Sequence, residues 1–196
     1  MKAKLAEHLT KARDTIAEMD RILTGQKYRS DARTVAVSGL LAAMTQHHRS
    51  VIQLIHSGAL RSAGALVRVI VETMYFGLWL NSNPPTDEIK RIRASDEFPV
   101  DIQMVVKAVN AAYKGNSLFE EIKKRCGAPL YQVNRAGILQ LGRWALDKEA
   151  GLRNDDQELM EITKTATLCT LFLGAEFLAK QNRAAESKAV QALAKK

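Results

Sequence analysis

An all-α fold, a single-domain up-and-down bundle, is predicted from three observations. Apolar residues recur three and four apart along several long stretches, capping residues and glycines punctuate those stretches, and no β-hairpin signal, internal repeat or low-complexity run interrupts them. A chain of 196 residues suits one domain over 1–196 and can bury roughly 70% of the surface its unfolded form exposes, so it needs no disulfide or metal to hold it together.

The first helix carries Leu5, Leu9, Ala12, Ile16, Met19 and Leu23 on one narrow stripe, and Gly25 stops it. Ser30 or Asp31 is placed to cap the second helix, which runs to about Ser57 with Val37, Leu41, Met44, His48, Val51 and Ile55 on one face. Ser38, Thr45, Arg49 and His56 fall on a neighbouring polar face, and Gly58 breaks the helix. From Leu60 to Leu80 almost every position is apolar or small, so this third helix (about 60–80) is expected to be covered on most sides and to form the buried centre of the bundle. It is long enough to span a bilayer, but Arg68 and Glu72 sit mid-segment, where a charge costs about 3 kcal/mol, and no membrane partner is expected.

Asn83, Pro84 and Pro85 end that helix, and a short polar one is expected through Ala94. Beyond Pro99, Ile102, Val105, Val106, Val109 and Tyr113 make one apolar face before Gly115. A short charged helix, Ser117 to Arg125, stops at Gly127, and Tyr131 to Leu146 reads as a helix interrupted by Gly137 and Gly142. The last long helix is expected to begin at Asn154 or Asp155 with Glu158 completing a capping box. Leu159, Ile162, Ala166, Cys169 and Leu173 form its stripe, and it continues toward a basic, frayed tail at 183–196.

The net charge of +8 raises the question of an anionic partner. Residues 1–33 hold eight Lys/Arg against five Asp/Glu and residues 180–196 five against one, so the ends carry an excess of three and of four, while residues 34–179 hold sixteen against fifteen. Such ends ordinarily read as solvated termini, which leaves a nucleic-acid partner weakly supported. Lys123, Lys124, Arg125, Arg135 and Arg143 are the weak candidates for a nucleic-acid surface, since only Tyr131 and Trp144 accompany them as stacking groups. Cys126 and Cys169 make no disulfide framework, and the first 23 residues lack the continuous apolar run of a signal peptide, so a reducing cytoplasm is expected. No Cys/His spacing, glycine-rich phosphate loop or Ser/His/Asp set calls for a metal or cofactor.

Two clusters could carry chemistry. Arg68 and Glu72 lie one turn apart with Arg61, Ala65, Tyr75 and Trp79 on their face. They are expected to neutralise each other inside the protein, extended to Glu176, and to mark any polar ligand pocket. His47, His48, Arg49 and His56 form the other, in which His48 reads as a hydrogen-bonded core or interface histidine. Arg49 and His56, two turns apart, could stabilise a phosphate oxyanion and move a proton as an RNA-cleaving pair.

The stretch from Gln46 through Leu80 resembles a family of bacterial all-helical proteins of unknown function, in the residues His47, His48, Gly58, Ser62, Ala63, Leu66, Arg68, Glu72, Trp79 and Leu80. Gly137, Gln140, Arg143 and Trp144 look like the same family's glycine-containing helix, and the family pattern has a histidine where this chain carries Arg135. That family is distantly similar to abortive-infection and HEPN-type helical proteins, many of them dimeric ribonucleases or their inactive relatives. The resemblance implies an all-α homodimer linked to phage defence, with Arg49 and His56 as the counterpart of the HEPN Arg-His motif.

The expected function is a self-associating cytoplasmic binding or regulatory module, a dimer. The alternatives are a metal-independent ribonuclease and a small-ligand or nucleotide-binding bundle around Arg68, Glu72 and Tyr75.

Overall fold

The structure is a computed structural model that describes residues 3–82, 101–126 and 156–195. Among these residues the chain forms seven helices and no strand. They are α1 (Ala3–Leu23), α2 (Ala32–His56), α3 (Leu60–Ser82), α4 (Ile102–Ala112), α5 (Ser117–Cys126), α6 (Asp156–Lys180) and α7 (Ala184–Leu193). The expected helices over 86–94 and 131–146, and the capping box at Asn154 to Glu158, lie outside the described residues.

Local signals set the ends of the first helices as their chemistry requires. Gly25 and Gly58 take φ of 83° and 77°, left-handed values that cost a side-chain-bearing residue strain, and they follow α1 and α2. Asp31 caps α2 by accepting the Thr34 amide at 2.9 Å, and Asp101 caps α4 by accepting the Gln103 amide at 2.9 Å. The stripes of α1 and α2 face the core as the spacing implies. Leu5, Leu9, Ala12, Ile16 and Met19 are buried on α1, and Val37, Leu41, Met44, His48, Val51 and Ile55 on α2, where Thr45 is buried too.

The centre of the bundle is α6, not α3, which corrects the expectation for residues 60–80. Two stretches, Ser62–Ser82 and Leu159–Lys180, are long and apolar enough to cross a bilayer by length and composition. The second is 78% buried inside the protein and the first only 44%. Helix α6 packs against α1, α2, α3, α5 and α7, whereas α3 packs against α2, α4 and α6. Burial runs round the whole circumference of α6, through Leu168, Cys169, Leu171, Phe172, Leu173, Ala175, Phe177 and Leu178.

Four threonines lie among the apolar residues of α6. The hydroxyls of Thr163, Thr165, Thr167 and Thr170 each donate to the carbonyl four residues earlier, at 2.8, 2.8, 2.9 and 2.8 Å. A hydroxyl satisfied within its own helix can be buried without an orphaned donor. At the crossing of α3 and α6 a methyl group on Gly77 would lie 2.6 Å from a Leu173 methyl carbon, so only a hydrogen fits there.

The tail is a docked helix, and this corrects the expectation of a frayed extension at 183–196. Asn182 adopts φ of 60°, the left-handed conformation that asparagine tolerates, and it ends α6. The chain then turns back, and α7 buries Ser187, Val190 and Leu193 against α6 and α1.

Candidate functional site

The candidate site is the outer face of α3. Arg68 donates from Nε to Glu72 Oε1 at 2.7 Å, as the one-turn spacing predicts. Both side chains keep 30% of their surface in water, so the pair is formed but not enclosed. Around it Ser62, Ala65 and Val69 are exposed, and Leu66, Val67, Phe76 and Trp79 are half-buried. Among the described residues Val69 is one of three large apolar side chains that stay substantially open, at 39%. The result is an apolar stripe holding one self-neutralised charge pair.

The polar pocket expected around this pair is not assembled from the residues named for it. Tyr75 is 3% exposed and packs edge-on against Phe119, its ring centroid 6.0 Å away, in a cluster that also takes in Tyr113 and Phe172. Arg61 stands in the first turn of α3, and its side chain lies outside the described residues.

Glu176 does not extend the pair either. It bonds with the Tyr113 hydroxyl, while its backbone carbonyl accepts from Asn81 Nδ2 at 2.9 Å. Asn81 is thirteen residues beyond Arg68, about 20 Å along the axis of α3, which puts this second polar set at the other end of the helix. Burial raises the Glu176 carboxyl above the usual carboxylate range, and the Tyr113 hydroxyl bond partly offsets that. Burial likewise pushes the Tyr113 phenol up to about 12. A phenol held protonated and donating to a water-poor carboxylate is a structural lock between α4 and α6. A cleft of about 260 Å³ beside it is lined by Asn81, Thr34 and Gln181, and its lining includes neither Glu176 nor Tyr113.

On α2 the histidines and Arg49 separate. His48 is fully buried, with Nε2 2.8 Å from Thr167 Oγ1 on α6, as the core reading expects. Burial, with a smaller push from the Arg49 charge, lowers its pKa to about 4, so it is neutral at pH 7. His47 is half-buried and His56 exposed. Arg49 forms an ion pair with Asp20 of α1. Seven helical residues separate its Cα from that of His56 by about 10 Å, and no described contact joins the two side chains.

The α5 cations are engaged within the fold. Lys123 pairs with Glu120 at 3.1 Å and sits 5.9 Å from the Phe119 ring centroid, while Arg125 pairs with Glu121 at 2.9 Å and with Glu161 of α6. Lys124 alone of the three is exposed. Arg135 and Arg143 lie outside the described residues. Among the described residues no group of three or more His, Cys, Asp or Glu could hold a metal ion.

Comparison with family models, with curated proteins and with solved structures gave no match. The functional reading therefore stands on this geometry.

Sequence reasoning missed the bond between Tyr113 and Glu176 and the part Thr167 plays. Tyr113 was legible as the last residue of an apolar face, but its partner lies 63 positions away, and nothing local selects it. Thr167 could have been found from the run of threonines on an otherwise apolar helix, a pattern that implies hydroxyls bonded to their own backbone.

Proposed function

We propose that the protein is a cytoplasmic, non-catalytic binding module that pairs with a second copy of itself through the outer face of α3. The observation that carries this reading is the Arg68–Glu72 pair, 30% exposed on each side and set within the stripe of Val69, Phe76 and Trp79. A lone surface ion pair contributes little to stability, so its place amid apolar side chains needs another reason. Two-fold pairing supplies one. In an isologous contact a residue meets its counterpart's neighbour, and an antiparallel copy sets Arg68 opposite Glu72 and Glu72 opposite Arg68. Arg68 and Glu72 cancel each other's charge within the stripe, so this pair adds nothing to the repulsion that the excess of +8 sets between two copies. The resemblance of residues 46–80 to an all-helical family of unknown function, itself distantly similar to HEPN-type proteins of which many are dimeric, is in keeping with this reading.

Light scattering coupled to size exclusion tests the proposal. The full chain should run at twice its monomer mass, and Val69→Glu should run as a monomer with an unchanged helical circular-dichroism spectrum. A monomer at every concentration, or a Val69→Glu dimer of undiminished affinity, rules the reading out.

A further inference from the structure

The two basic ends of the sequence meet in the fold. Helix α7 turns back along α1 and α6, and a cleft of about 280 Å³ opens where the three helices converge. It lies at the lower edge of the size range of small-molecule sites, about 300–1000 Å³. Each helix or its end brings one ammonium: Lys11 from α1, Lys164 from α6 and Lys195 from just past α7. None of the three has an acid within ion-pair distance among the described residues, although Glu7 and Asp14 stand one turn to either side of Lys11 and Asp14 pairs with Arg13. Cations gathered this way repel one another, and an anion between them relieves that repulsion.

Leu168, Leu171 and Leu193 stand in the lining of the cleft, although at 3%, 1% and 7% exposed each shows it little surface, and Ala12 and Ala194 complete the apolar wall. Thr15 and Thr167 stand in the lining as well; Thr15 makes no side-chain hydrogen bond among the described residues, whereas the Thr167 hydroxyl is engaged by the Thr163 carbonyl and by His48. His8 stands in the same lining and donates from Nε2 to the Met160 carbonyl at 3.1 Å. Its pKa is lowered, chiefly by burial; the bond to the Met160 carbonyl raises it, the charges of Lys164 and Lys11 lower it further, and Glu161 opposes them to a smaller extent.

We infer that this cleft is a binding site for a small amphipathic anion, its carboxylate or phosphate head between Lys11, Lys164 and Lys195 and its short apolar body over Leu168, Leu171 and Leu193. The site is independent of the α3 face, because α3 contributes nothing to it.

Octanoate, acetate and inorganic phosphate titrated calorimetrically into the full chain test this. Octanoate should bind about tenfold or more tightly than either of the others, since each methylene removed from water adds to binding. Lys164→Gln and Lys195→Gln should each weaken octanoate severalfold, whereas Lys124→Gln, which removes the same charge from exposed α5, should leave it unchanged. Leu193→Asn should erase the preference for octanoate over acetate. No binding of any of the three, or equal weakening by the Lys124 variant, overturns the site. So does a short single-stranded RNA that binds more tightly than octanoate and is lost steeply with salt, which would assign the surface to nucleic acid instead.

Discussion

His48 donates to Thr167. The imidazole Nε2 lies 2.8 Å from Thr167 Oγ1, and that hydroxyl's one hydrogen is already given to the Thr163 carbonyl at 2.9 Å, so the ring must supply the proton of their bond. This fixes the tautomer and leaves Nδ1 an unprotonated acceptor, which has no partner among the described residues. Helices α2 and α6 are thereby joined by a histidine that must stay neutral.

A stability slope below neutral pH follows. The folded pKa of about 4 lies below the ordinary 6.5, so the unfolded chain binds more protons between the two values and stability falls as pH drops through that window. The full contribution, present above pH 6.5, is roughly 3 kcal/mol. Urea unfolding of the parent and of His48→Phe at pH 7 and pH 4.5 measures it. The parent should lose clearly more stability than the variant, and equal losses would place the histidine outside the core.

Glu176 acts with the opposite sign. Its folded pKa is raised by burial, so the stability it contributes is fully present below its unfolded pKa and is lost as pH rises through the folded value. Glu176→Gln keeps an oxygen for the Tyr113 hydroxyl and removes the charge. The variant should therefore match or exceed the parent in stability at pH 7, with the difference vanishing at acid pH. A Gln variant less stable at pH 7 than at pH 4, relative to the parent, would show that folding favours the ionised carboxylate and that its pKa is lowered, not raised.

Replacing Glu72 by alanine should cost less than about 1 kcal/mol, the range of half-exposed ion pairs. An enclosed pair would cost roughly 3–5 kcal/mol, because Arg68 would be left buried and unpaired. With 30% of each side chain in water, the guanidinium turns to solvent instead. Thermal unfolding of dilute protein, where self-association is weakest, separates the two values.

Two glycines give opposite effects under the same substitution. Gly39 on α2 has nothing within 4 Å of an added methyl, so Gly39→Ala should stabilise by about 0.5–1 kcal/mol through helix propensity. Gly77→Ala meets two Leu173 carbons below 3 Å inside a fully buried site and should destabilise by about 1–3 kcal/mol. A double-mutant cycle with Leu173→Ala should recover part of that loss, and strict additivity would mean that α3 and α6 do not meet there.

By itself the sequence determined the local structure: where α1 to α5 lie, that Gly25, Gly58 and Gly115 follow α1, α2 and α4, and which stripes of α1 and α2 turn inward. These follow from periodicity, from the left-handed backbone at Gly25 and Gly58, and from the carboxylates of Asp31 and Asp101, all of which act within a few residues. Tertiary structure decided which helix is central, because hydropathy counts a threonine as polar whether or not its hydroxyl is satisfied. In α6 four of them are satisfied within the helix. It decided as well that Glu176 answers to Tyr113 rather than to Arg68. It also brought Lys11, Lys164 and Lys195 to one cleft, since the turn at Asn182 folds α7 back along α1. Choices of partner across sixty or more residues depend on how helices pack, and no spacing along the chain encodes them.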